Sequence, residues 1–113
     1  MDHLECRARK AIAEDIERNY AASASVLSKR GSGTGARGVR REHDALVDAL
    51  PDHRLRVTGF IVDGPFAFLE WTARGRSGRI DDGADTFVVT DGRIACQTTH
   101  YTVTPRSAAG RAR

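Results

Sequence analysis

The chain of 113 residues is long enough for one domain with its own core and too short for two. Hydrophobic residues make up 40% and charged residues 29%, an ordinary globular balance, and no apolar run approaches the ~20 residues that span a bilayer. The formal charge of +3 raises the question of nucleic acid, but its distribution argues against such a partner: Lys29, Arg30, Arg37, Arg40 and Arg41 form one basic segment, Arg106, Arg111 and Arg113 a basic tail, and between Glu42 and Thr104 ten acids outnumber six bases.

The opening MDHLECRARK has acids near its start and no apolar stretch, so no secretory signal is expected and a cytoplasmic protein is the reading. Cys6 and Cys96 lie far apart, with no CxxC and no histidine at zinc-ligand spacing. They read as simple thiols, and no metal site is expected. From Asp2 to Tyr20 the positions Leu4, Ala8, Ile12, Ile16 and Tyr20 recur every four residues, a helical stripe with Asp2 as N-cap. One helix, or two broken near Ala13, fits equally well. Tyr20 ends the stripe, and its hydroxyl needs a partner, which places it where the stripe meets a polar cavity.

Ala21–Ser28 reads as a short strand, with a glycine-rich loop after it over Ser28–Gly38. Gly33, Gly35 and Gly38 satisfy G-x-G-x-x-G, but a dinucleotide site needs a parallel βαβ continuation. The chain continues instead with a helix and an antiparallel meander, so a flexible loop is expected. The helix covers Val39–Leu50, with Val39, His43, Leu46, Val47 and Leu50 on one face, and stops at Pro51. His43 on that face reads as a hydrogen-bonded residue at the edge of the core.

Four strands complete the chain. Leu55–Val62 leads through the turn Asp63-Gly64-Pro65 into Phe66–Ala73, which places Ala67, Leu69, Trp71 and Ala73 opposite Phe66, Phe68, Glu70 and Thr72. Arg74–Asp82 reads as a polar connection. Ala84–Thr90 and Arg93–Thr104 are joined by Asp91-Gly92, a strong hairpin signal because both turn positions take φ > 0. Period two sets Asp85 on one face with Phe87 and Val89. A carboxylate on an apolar face is the most informative feature of the sequence. The fold class is α+β: N-terminal helices on one face of a strongly curved antiparallel sheet that leaves a conical pocket, over residues 1–104, with a disordered basic tail at 105–113.

The pattern DGADTFVVTDGRIACQTTHYTV, preceded by AFLEW at Ala67–Trp71, resembles the C-terminal sheet of the SnoaL-like group of the nuclear transport factor 2 superfamily. The resemblance covers about residues 2–104. It implies a cofactor-free pocket for a small, largely apolar molecule. Isomerases, cyclases, dehydratases, hydrolases and non-catalytic binding or dimeric interaction modules all use this fold. Asp85 matches the pocket acid of the steroid isomerases in the group, where burial keeps a carboxylic acid protonated as a donor. It is the candidate catalytic residue. Tyr20, Leu69, Trp71, Phe87, Gln97, Thr99 and Tyr101 are the candidate ligand-binding residues.

The departures are as informative. The isomerase base falls at about Ser28, which cannot abstract a carbon-bound proton unaided, and the isomerase's helix tyrosine falls near Leu4. Nor is the Asp-Arg-Asp set of epoxide hydrolases evident. Asp85 paired with Arg54, Arg56 or His100 as a structural ion pair is an equal alternative, and Trp71 and Tyr101 read equally as core. Phe66, Phe68, Glu70 and His100 fall on the outer sheet face. Two phenylalanines exposed there imply a homodimer.

Overall fold

The computed structural model describes residues 2–3 and 12–106. Leu4, Cys6, Ala8 and the tail from 107 onward lie outside them. Helix α1 spans Ile12–Asn19 and α2 Gly35–Ala49. The strands are β1 Tyr20–Ser28, β2 Gly31–Thr34, β3 Arg54–Asp63, β4 Phe66–Arg74, β5 Gly78–Thr90, β6 Arg93–His100 and β7 Thr104–Pro105. They form one sheet ordered β2-β1-β6-β5-β4-β3, with β7 alongside β5. Every pairing is antiparallel except β1 with β6, which is parallel. Both helices pack on the sheet, which curves without closing, so the α+β expectation holds.

Local chemistry sets the C-terminal hairpin. Asp91 and Gly92 take φ of 52° and 76°, the left-handed pair that a two-residue hairpin requires. That turn fixes Thr90 opposite Arg93 and, further along, Asp85 opposite Thr99. Side chains then alternate as period two demands. Ala67, Leu69, Trp71 and Ala73 of β4 are buried, as are Asp85 and Phe87 of β5, while Phe66, Phe68 and Glu70 are exposed. Phe87, Ile80, Leu50, Val26 and Val39 are fully buried at the centre of the core. Each such side chain contributes about 1.5–3 kcal/mol relative to remaining in water.

Four expectations are corrected. Tyr20 continues the four-residue spacing of Ile12 and Ile16, yet it opens β1 and pairs with Ile94 of β6. Pairing with a central strand overrides the local helical pattern. Ser28–Gly38 is not a flexible loop: β2 folds back on β1, and α2 begins at Gly35. The glycines there serve close packing. A Cβ on Gly33 would lie 2.8 Å from Gly38 Cα, and Gly35, at φ +62°, would place one 2.5 Å from the Ala22 carbonyl oxygen. The polar connection over Arg74–Asp82 is strand from Gly78 onward, because Ile80 is buried and β7 pairs with Gly78 and Arg79. Finally, β6 ends at His100, where the chain turns out of the ladder and Thr102 N–H donates to the Asp82 carboxylate at 2.8 Å.

Candidate functional site

The register brings three donors to one carboxylate. Asp85 lies between Leu69 of β4 and Thr99 of β6, so Trp71 and Gln97, each two residues along its own strand, are its diagonal neighbours. Thr99 Oγ1 donates to Asp85 Oδ1 at 2.6 Å, Trp71 Nε1 to the same oxygen at 3.1 Å, and Gln97 Nε2 to Oδ2 at 2.8 Å. The Tyr20 hydroxyl donates to Gln97 Oε1, which fixes the amide with its NH2 toward Asp85. A carboxylate offers about four acceptor positions, so Asp85 keeps one, on Oδ2. Its partners are all neutral, and no basic side chain reaches it among the described residues.

A cavity of about 130 Å³ opens beside this cluster. Leu69, Trp71, Asp85, Gln97 and Thr99 form its sheet wall, Leu55 and Val57 continue it on β3, and Tyr101 closes one side. Trp71 and Tyr101 meet at 5.5 Å between ring centroids, tilted by 55°. Opposite stand Leu46 and Glu42 of α2, together with His3. Glu42 is buried, and its acceptor positions are filled: Oε1 takes Arg30 Nε at 3.0 Å and Arg30 Nη2, and Oε2 takes Ser28 Oγ at 2.7 Å and Arg41 Nη2 at 3.1 Å. Burial pushes the Glu42 carboxyl up, but the Arg30 and Ser28 hydrogen bonds, the Arg30 charge and the Arg41 bond outweigh it and hold the group below its ordinary value. The Arg30 guanidinium also lies 5.0 Å from the Tyr101 ring centroid. Burial pushes the Tyr101 phenol up; Arg30 counteracts this in part, so the hydroxyl stays neutral at physiological pH.

A helical pair on a curved sheet with an inward carboxylate is one observation, and similarity to known proteins is the other. Residues 3–97 match the family model of the SnoaL-like domain. The chain belongs to the SnoaL-like family. Its fold is similar to that of a candidate ketosteroid isomerase from Kribbella flavida, with a TM-score of 0.71 and 20% identity over 87% of this chain and 70% of the other. It is also similar to a candidate polyketide cyclase from Sinorhizobium meliloti, with a TM-score of 0.70 and 19% identity over 88% and 94% of the two chains. A nuclear transport factor 2-like protein of unknown function from Cytophaga hutchinsonii gives 0.67 and 10% over 88% and 83%. At these identities the likeness is one of fold. No curated protein sequence matches.

In this SnoaL-like domain the cavity gathers Asp85, Leu69, Trp71, Gln97, Thr99 and Tyr101. Tyr20 and Phe87 do not line it. Tyr20 sits behind Gln97, and Phe87 is core. Ion pairing of Asp85 with Arg54, Arg56 or His100 does not occur; His100 lies on the outer face, 3.9 Å from Asp82. Among the described residues no three His, Cys, Asp or Glu side chains gather as a metal site, and no helix is long and apolar enough to cross a membrane. Glu42 and His3 were missed. Gly35, Gly38, Val39, Glu42 and Leu46 form the buried stripe of α2, so Glu42 falls on the helical spacing, and only its charge hid it. His43, the next residue, is half-buried, as a residue at the edge of the core is expected to be.

Proposed function

We propose that this domain binds a small, largely apolar molecule in the cavity beside Asp85 and performs cofactor-independent acid–base chemistry on it, of the isomerase, cyclase, dehydratase or hydrolase kind. The observation that carries this reading is the open acceptor position of a buried carboxylate at the wall of an otherwise apolar and aromatic space. At about 130 Å³ the space holds one small ring, by comparison with the ~150 Å³ cavity that accepts benzene, and its open side lets a larger flat molecule protrude. Asp85 receives bonds from its neighbours, so its role toward the ligand is to accept from a hydroxyl or N–H and anchor it. Trp71, Gln97, Thr99 and Tyr101 shape the cavity around that anchor. The named activities of proteins with this fold are consistent with such chemistry. A homodimer joined through the outer sheet face is part of the proposal.

The test is an Asp85→Asn variant, paired with mass spectrometry of the native protein for a co-purified small molecule. Conversion of that molecule by the wild type, with binding and turnover both weakened in the variant, supports the enzyme. Loss of binding without any turnover by the wild type favours a carrier or sensor. A wild type that takes up no small molecule in the cavity refutes the reading.

A further inference from the structure

His3 borders the cavity, and its ring is held from both sides. Tyr20 and Phe87 meet the imidazole edge-on, at 5.7 and 5.3 Å between centroids. Its Nδ1 lies 2.9 and 2.7 Å from the two carboxylate oxygens of Asp15, which is fully buried on α1 and also accepts from Asn19 Nδ2 at 2.9 Å. A carboxylate accepts, so the geometry selects the tautomer with its proton on Nδ1. The Nε2 lone pair then has no partner among the described residues, and it is the ring atom available to a molecule in the cavity. The two acids that line the cavity differ from each other. Glu42 has no acceptor position left, and Asp85 has one. A base held by a buried carboxylate, with its reactive nitrogen bare, is the arrangement that proton abstraction requires.

Resting on the acid–base reading of this cavity, we infer that His3 is its proton acceptor and Asp15 the positioning residue. His3 Nε2 takes a proton from an acidic C–H or O–H of the bound molecule, and the imidazolium that forms is stabilised by Asp15. Asp85 fixes the same molecule through the open position on Oδ2. This supplies the base that Ser28 cannot provide. His3 reaches the cavity from the opposite end of the chain.

The test uses the full chain and 5-nitrobenzisoxazole, a small flat probe that reports proton removal. The base takes the ring C–H proton, that electron pair completes the nitrile, and the N–O bond breaks with its pair on the phenolate oxygen, so no other reactant is needed. Binding is read from the Trp71 indole N–H resonance. The expected result is that the wild type shifts this resonance and converts the probe, that His3→Gln still binds but is slower by about a hundredfold, and that Asp15→Asn is also slower. Long-range proton–nitrogen spectra should show Nδ1–H on His3 in the wild type and a changed tautomer in Asp15→Asn, a signature that lost packing alone does not give. Equal rates for wild type and His3→Gln with binding intact overturn the inference and leave the pocket reading standing. A wild-type His3 protonated on Nε2 overturns it even where the variants do not fold. A probe that leaves Trp71 unmoved refutes the pocket reading itself, and the inference with it.

Discussion

Gly83 lies directly beneath the indole of Trp71: a Cβ there would stand 2.3 Å from one ring carbon and 2.4 Å from its neighbour. The two are cross-strand partners, and the β4–β5 register shifts just beyond them. Without a side chain at 83, the indole lies flat enough for Nε1 to reach Asp85 Oδ1. Gly83→Ala should displace the ring, break that bond and cost about 1–3 kcal/mol. Trp71 is the single tryptophan, so urea unfolding tracked by its fluorescence reads both effects. A superimposable unfolding curve and an unshifted emission maximum would show that the ring does not depend on this glycine.

Acid should weaken the fold through Glu42. Its carboxyl sits below the reference value of 4.5 in the folded chain, so the native state holds this proton less tightly than the unfolded one. The stabilisation is complete above the unfolded value and is lost as pH falls through the folded one. Glu42→Gln should therefore be less stable than wild type near neutrality and converge with it as the pH falls through the folded-state value. Asp82 shifts the same way, through the Thr102 N–H, but it is exposed, so Asp82→Asn should change the acid limb less. Denaturation midpoints across this pH range decide the matter; parallel curves for wild type and Glu42→Gln would rule it out.

Arg30 joins the turn after β1 to the cavity rim by contacts that only a guanidinium makes at once, two N–H groups on Glu42 Oε1 and a face over Tyr101. Arg30→Lys should lose about 1–2 kcal/mol, since the side chain is partly exposed and its partner is buried. Arg30→Met should go further and raise the Tyr101 phenol, because the guanidinium is what lowers it. Alkaline ultraviolet titration reads that shift, and an unchanged Tyr101 transition would count against the contact.

The outer face of β3, β4 and β5 carries Ile61, Phe66 and Phe68, with Ile61 paired to Phe68 and Phe66 to Val88. Ile61 and Phe66 are 66% and 60% exposed, an apolar patch that a second copy of the chain would cover. Phe66→Glu should halve the mass seen by sedimentation while leaving Trp71 emission unchanged. A wild type that sediments as a monomer at every concentration would end the dimer reading.

What could be read from sequence was what is decided locally. Asp91-Gly92 announces its own turn, and period two then places Asp85, Gln97 and Thr99 on one face without reference to the rest of the chain. What escaped depends on distant partners. β2 is glycine, serine and threonine, with no apolar alternation, and forms because β1 offers an edge. Glu42 is a charged residue on an apolar stripe, tolerable only because Arg30, Ser28 and Arg41 converge on it. His3 has meaning only beside Asp15, twelve positions away and on another helical segment. Hydropathy carries none of that information.

The lone parallel pairing in the sheet has a bearing on biosynthesis. Tyr20 and Gln97 touch across 77 positions, and β6 is the strand that separates β1 from β5. A nascent chain that has not yet emerged past Arg93 holds two detached parts, β2-β1 packed under α2, and β5-β4-β3 without β6 beside it. The sheet cannot close until β6 has emerged, which makes the interval before its synthesis the one when this fold most needs a chaperone.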